Sequence, residues 1–180
     1  MMLDPKEITE GLGQDRSKRA VDLWVDRLAK EHFDLATYLD VVLTTEPPVN
    51  WYLTWTLNHY FDRYPHLGPE KQRMLWERLR SIEHKGIKRD LWRILSSLEL
   101  DEDLAGEVFE RGILIVRSSA QEVAVRAHAM KVLLNVTKNY PELVDELDLI
   151  LNDLMIDASA GIKARAKNYR KEIKKIKALQ

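Results

Sequence analysis

Apolar residues along this chain recur every three or four positions, the spacing of one face of an α-helix. Four stripes stand out: Val49/Leu53/Thr56/Leu57/Tyr60, Ile87/Leu91/Ile94/Leu95/Leu98, Val125/Ala129/Val132/Leu133/Val136 and Ile162/Ala166/Tyr169/Ile173. They predict helices over 48–63, 86–98, 120–139 and 159–178. The register drifts in the last, where Arg170 takes the place held by Leu57, Leu95 and Leu133. Further helices are expected over 16–30, 33–45, 69–83, 102–117 and 142–156. Pro47-Pro48, Pro65, Gly68-Pro69, Gly86, Pro141 and Gly161 fall between these segments, where residues that break helices belong. Ser118-Ser119 and Asp157–Ser159 are candidate N-cap regions. Asp101-Glu102-Asp103 places negative charge at a helix start. No stretch alternates with period two, so no sheet is expected.

The helices repeat. Val49-Asn50, Ile87-Lys88, Val125-Arg126 and Ile162-Lys163 open similar helices at offsets of 38, 38 and 37. Tyr64-Pro65-His66-Leu67 returns as Tyr140-Pro141-Glu142-Leu143 at twice that period. Such self-similarity marks a stacked array of helix pairs. The four stripes are then the second helices of four pairs. The segment 16–30 does not share their phase and is expected to be an N-terminal capping helix, with 1–15 an extension before it. All 180 residues are expected to form a single domain.

Val125-Arg126-Ala127-His128-Ala129 is similar to the V-R-x-x-A phrase that opens the second helix of HEAT and armadillo-type repeats. Ile162-Lys163-Ala164-Arg165-Ala166 and Ile87-Lys88-Arg89-Asp90-Leu91 are looser copies, and Val49-Asn50-Trp51-Tyr52-Leu53 is looser still. The resemblance covers residues 33–178. It implies an all-α, right-handed α-α superhelix: a short HEAT-like solenoid of about four helix pairs plus the capping helix. The Asp that the family usually carries before this phrase is missing from most repeats. Such families mostly bind and scaffold other proteins, and a smaller branch repairs alkylated DNA.

Composition adds exclusions. The formal net charge of −1 does not suggest a strongly basic nucleic-acid binder. Cysteine is absent, which rules out disulfides, thiolate ligands and cysteine nucleophiles and fits a reducing, cytoplasmic compartment. The first 13 residues carry Asp4, Glu7 and Glu10 and read as no signal peptide. The apolar run Gly112–Val116 is far too short for the roughly 20 residues of a membrane span. Gly11-Leu12-Gly13 lacks the third glycine of a nucleotide fingerprint. None of the five histidines pairs with another at metal-ligand spacing, so neither cofactor nor metal is expected.

The candidate chemistry lies opposite the core stripe. Trp51, Trp55, Asn58 and Asp62 project away from Val49/Leu53/Leu57, with Arg89 and Arg93 equivalent one repeat later and Lys131 after them. Two tryptophans beside two arginines form a surface suited to a peptide or protein partner. Burial of both beneath residues 1–15 or a neighbouring helix is the competing expectation, since tryptophan is highly buried on average. A non-enzymatic binding or scaffold role, with no membrane partner, is the favoured reading. The alternative is a nucleic-acid protein of the alkylation-repair type, with the tryptophans stacking on a base, Arg89, Arg93 and Lys131 on phosphates, and Asp62 catalytic.

Trp24, Trp76 and Trp92 lie nearer the apolar stripes and are expected to pack, with Met74, Met130 and Met155 filling gaps. Lys88, Arg126 and Lys163 are expected to tie neighbouring repeats together. The last helix is basic and the one before it acidic, which suggests complementary neighbours. A surface for an anionic partner is the other reading of those charges.

Overall fold

The computed structural model describes residues 3–178, and its described elements are all helical. In chain order they are α1 (Pro5–Gln14), α2 (Lys18–Lys30), α3 (Leu35–Thr44), α4 (Val49–Arg63), α5 (Pro69–Ser81), α6 (Lys85–Leu95), α7 (Glu102–Arg117), α8 (Val123–Asn139), a 3-10 turn at Pro141–Leu143, α9 (Val144–Asp157) and α10 (Ala160–Lys177). No strand occurs among the described residues; near the N-terminus the Leu3 N–H donates to the His32 carbonyl at 2.8 Å. All nine expected helices are present. Their ends differ from expectation by a few residues, the usual spread at frayed helix termini.

The chain divides after Leu98 into two compact units. In the first, α4 packs against α2 on one side and α6 on the other, with α3 behind it. The stripe residues Leu53, Leu57, Ile87, Leu91, Ile94, Leu95 and Leu98 are buried as expected, while Tyr60 is half-buried. The Tyr38 hydroxyl donates to the Leu53 carbonyl at 3.0 Å and ties α3 to α4. Burial raises the pKa of that phenol far above its ordinary value. Trp76 of α5 and Trp92 of α6 meet edge to face, with ring centroids 6.0 Å apart.

Residues 1–15 are not a plain extension: most of them form α1, which packs on α2, α3 and α4. Asp4 caps it, accepting from the Lys6 N–H at 2.9 Å, and Pro5 opens its first turn. Leu3, Ile8 and Leu12 are buried. Gly11 gives Trp24 of α2 room to lie against this helix; a Cβ there would collide with the indole. Trp24 is therefore half-buried, with the Arg27 guanidinium 4.9 Å over its ring. The capping helix α2 thus has a helical partner of its own.

In the second unit α8 packs against α7 and α10, and α9 against α10. Val125, Ala129, Val132, Leu133 and Val136 are buried, as are Ile162, Ala166 and Ile173. Gly112 lets α7 approach α8, since a Cβ would stand 2.8 Å from Leu133 Cδ2. The expected caps differ here. Ser118 closes α7 instead of opening α8, whose N-cap Glu122 makes no side-chain bond. Ser159 holds the N-cap position of α10 without a capping bond.

The acidic α9 and basic α10 do complement each other, through two cations. Arg170 Nε meets Asp148 Oδ1 at 2.7 Å, and Lys177 Nζ meets Asp145 at 2.8 Å and Asp148 at 3.2 Å. Burial alone would raise the Asp148 carboxyl, but the hydrogen bonds from Arg170 and Lys177 outweigh it and hold the pKa below the ordinary range. Lys171, Lys174 and Lys175 are exposed and make no ion pair among the described residues.

Leu91→Ala removes a fully enclosed side chain and lowers stability by about 2–5 kcal/mol in a denaturant melt. Ala129→Leu overpacks a helix crossing and costs about 1–3 kcal/mol; a neutral result there contradicts the register. Reversing Arg170 and Lys177 to Glu lowers the melting temperature, and the same reversal of Lys171, Lys174 and Lys175 lowers it less, because only the first two face Asp148.

Candidate binding surface

Helix α4 is enclosed on three sides, so one ridge remains for solvent. Trp51, Trp55 and His59 follow one another at four-residue steps along it. Trp51 is 51% exposed. Trp55 is half-buried, held between Tyr52, with ring centroids 5.8 Å apart, and His59, at 5.2 Å. Neither tryptophan is fully covered, despite the helix that residues 5–14 form.

Asn58 is a correction to the sequence reading. It is only 2% exposed, and its Oδ1 has no hydrogen-bond partner. The residues Asn50, Thr54, Asn58 and Asp62 form their own four-residue row. Thr54 Oγ1 donates to Asp90 Oδ2 of α6 at 2.8 Å, and Asp62 Oδ2 accepts from Arg93 Nη2 of α6 at 2.7 Å. Asn58 lies between these two bonds, so the row faces α6 and its middle is sealed. A helical wheel separates polar from apolar faces but does not say which part of a polar face the next helix covers.

The two arginines of α6 remain on the surface. Arg93 is tied to Asp62, and Arg89 Nε to Asp90 Oδ1 at 2.9 Å. Asp90 is 7% exposed, a buried carboxylate that accepts from Thr54 on one oxygen and Arg89 on the other. Buried carboxylates persist when their lone pairs are satisfied in this way. On the opposite flank Arg63 bonds Asp22 at 2.8 Å and Asp26 at 3.1 Å, both on α2. The ridge is therefore aromatic along its crest, with ion pairs on each side. Lys131 is exposed on α8 of the second unit.

His59 is the member the sequence reading missed, although its place four residues after Trp55 was the available signal. Its Nε2 is buried without a partner. Desolvation lowers its pKa, and the positive charges of Lys18 and Arg93 push the same way against Asp62 and Asp22.

A family model for a HEAT repeat domain matches residues 8–173, and the chain belongs to that family. No curated protein and no solved structure matches the chain. No helix among the described residues is long and apolar enough to cross a membrane.

The histidine generates a pH prediction. Its folded pKa lies below the unfolded value of 6.5. The unfolded chain therefore binds this proton more readily, and the histidine's part of the stability is complete above that pH and falls as pH drops toward the folded pKa. His59→Gln removes this part of the acid sensitivity between about pH 7 and pH 5 in thermal melts. Fluorescence lost in Trp55→Phe relative to the wild type titrates with a midpoint below 6.5, since an imidazolium 5.2 Å away quenches the indole.

Proposed function

We propose that this protein is a non-enzymatic helical-repeat scaffold whose α2–α4–α6 layer takes a protein or peptide partner. Trp51 and Trp55 anchor that partner, and the Arg93–Asp62 and Arg89–Asp90 pairs border the contact. The carrying observation is the 51% exposure of Trp51 beside a half-buried Trp55 on a helix otherwise enclosed. A large exposed aromatic with a second ring at its flank is the usual make-up of a binding hot spot. The rim charges fit the same reading. Each arginine has a carboxylate partner, so the surface offers paired charges suited to a peptide backbone and polar side chains. A phosphate chain would have to displace Asp62 and Asp90 first. Membership of a HEAT repeat domain family supports a scaffold role, and the lack of cysteine supports placing that role in the cytoplasm.

The test is a comparative pull-down with the wild type and a Trp51→Ala/Trp55→Ala variant, followed by titration of the proteins that the variant loses. Each Trp→Ala change is expected to cost about 2 kcal/mol or more of binding, with weak salt dependence. Steep salt dependence, with a log–log slope of about −2 on duplex DNA from two phosphate contacts by Arg89 and Arg93, would favour the nucleic-acid alternative instead. Loss of activity on alkylated DNA in Asp62→Asn, with binding retained, would make that alternative an enzyme.

A further inference from the structure

The second unit contains a groove of about 540 Å³ with an unusual charge at its wall. Arg126 lines it and is only 6% exposed. Its Nε donates to the Val116 carbonyl at 2.9 Å, closing the last turn of α7. No carboxylate meets its guanidinium among the described residues, and desolvation alone moves its pKa, downward. The other well-buried charge among the described residues, Asp90, has two donors. A buried cation without a counter-charge costs free energy unless an anion comes to it.

Most of the polar groups that line the groove with Arg126 can donate. Ser119 and Gln121 come from the α7–α8 loop, and Ser159 precedes α10. The α8 and α10 N-termini converge here: Val123 lines the groove, and a Cβ on Gly161 would meet Val123 Cγ1 at 3.8 Å. Neither helix has a side-chain cap, so the N–H groups of both first turns lack a side-chain acceptor. Arg117 stands at the open side with its side chain 57% exposed. Its partner Asp153 is the carboxylate among the described lining residues; the pair is exposed and long, at 3.8 Å.

We propose that this groove is a binding site for a phosphate monoester. The guanidiniums of Arg126 and Arg117 take the anionic oxygens, and the first turns of α8 and α10 with the Ser119 and Ser159 hydroxyls complete the donor set. Donors arriving from two helices, a loop and two guanidiniums match a tetrahedral group with three charged oxygens better than a planar carboxylate. The remaining lining, from Ile150, Leu154 and Ala158, leaves room for a short apolar stem on the ester. The stem belongs either to a free small molecule or to a phosphorylated side chain of a protein. The site lies in the second unit and does not depend on the aromatic ridge of α4.

The experiment uses the full chain and titrates it with inorganic phosphate, O-phospho-L-serine, a phosphoserine peptide and the unphosphorylated peptide, at matched ionic strength. Phosphate and its esters are expected to raise the melting temperature saturably, and the amide resonances of Ala124 and Gly161 to move with the same midpoint. Arg117→Gln and Val123→Asp, both at exposed positions, are expected to weaken binding about tenfold or more. Arg126→Gln is expected to abolish it; should that variant fail to fold, the two exposed substitutions decide. A tighter phosphopeptide assigns the ester to a protein partner, and equal affinity for phosphoserine assigns it to a small molecule; both outcomes uphold the site. A phosphate effect no larger than that of chloride, or one unchanged in both Arg117→Gln and Val123→Asp, overturns it.

Discussion

The structure of the first unit rests on one constraint: α4 must bury its apolar stripe against α3 while α2 and α6 flank it. With α1 also packed on it, α4 is left with a single ridge to water. That geometry places Trp51, Trp55 and His59 together on the outside. It also draws the neighbouring row into the α6 contact, where Thr54 and Asp62 bond Asp90 and Arg93. Core packing and the candidate surface are thus two faces of one arrangement.

Charge follows the same layering. Around α4 most ionic groups are matched: Arg63 with Asp22 and Asp26 and Arg93 with Asp62 across helices, and Arg89 with its neighbour Asp90 within α6. Exposed pairs of this kind contribute little stability each, typically below about 1 kcal/mol. Their effect is on what the surface offers a partner, because a paired guanidinium is a weaker lure for an anion than a lone one. Arg126 in the second unit is the opposite case. There the basic residue of the repeat phrase is buried, its Nε serves the end of α7, and no acid pairs with its charge among the described residues. Lys163, one repeat later, does a similar job from a half-buried position, donating to the Ile156 carbonyl near the end of α9 at 2.8 Å. Both residues tie the second helix of a pair to the end of the first helix of the same pair through a carbonyl, and these two bonds do not link one repeat to the next as the sequence reading expected.

Period-3.6 patterning and the Pro and Gly breaks made nine helices readable, because burying an apolar stripe is a demand each helix carries in its own residues. The repeat at 37–38 residues made the class of fold readable for the same reason, and the family match over 8–173 agrees with it. Helix α1 was not readable: its two glycines weaken a short helix, and what stabilises it is the burial of Ile8 and Leu12 against other helices. The exposure of Trp51 agrees with its phase opposite Leu53 and Leu57, but phase left open whether another helix would cover it. The sealing of Asn58, the pairing of Arg93 with Asp62, the role of Arg170 and Lys177 against α9, and the isolation of Arg126 did not follow from any phase. Each depends on which neighbour covers a given part of a polar face, and that choice is made between helices distant in sequence, by tertiary packing alone.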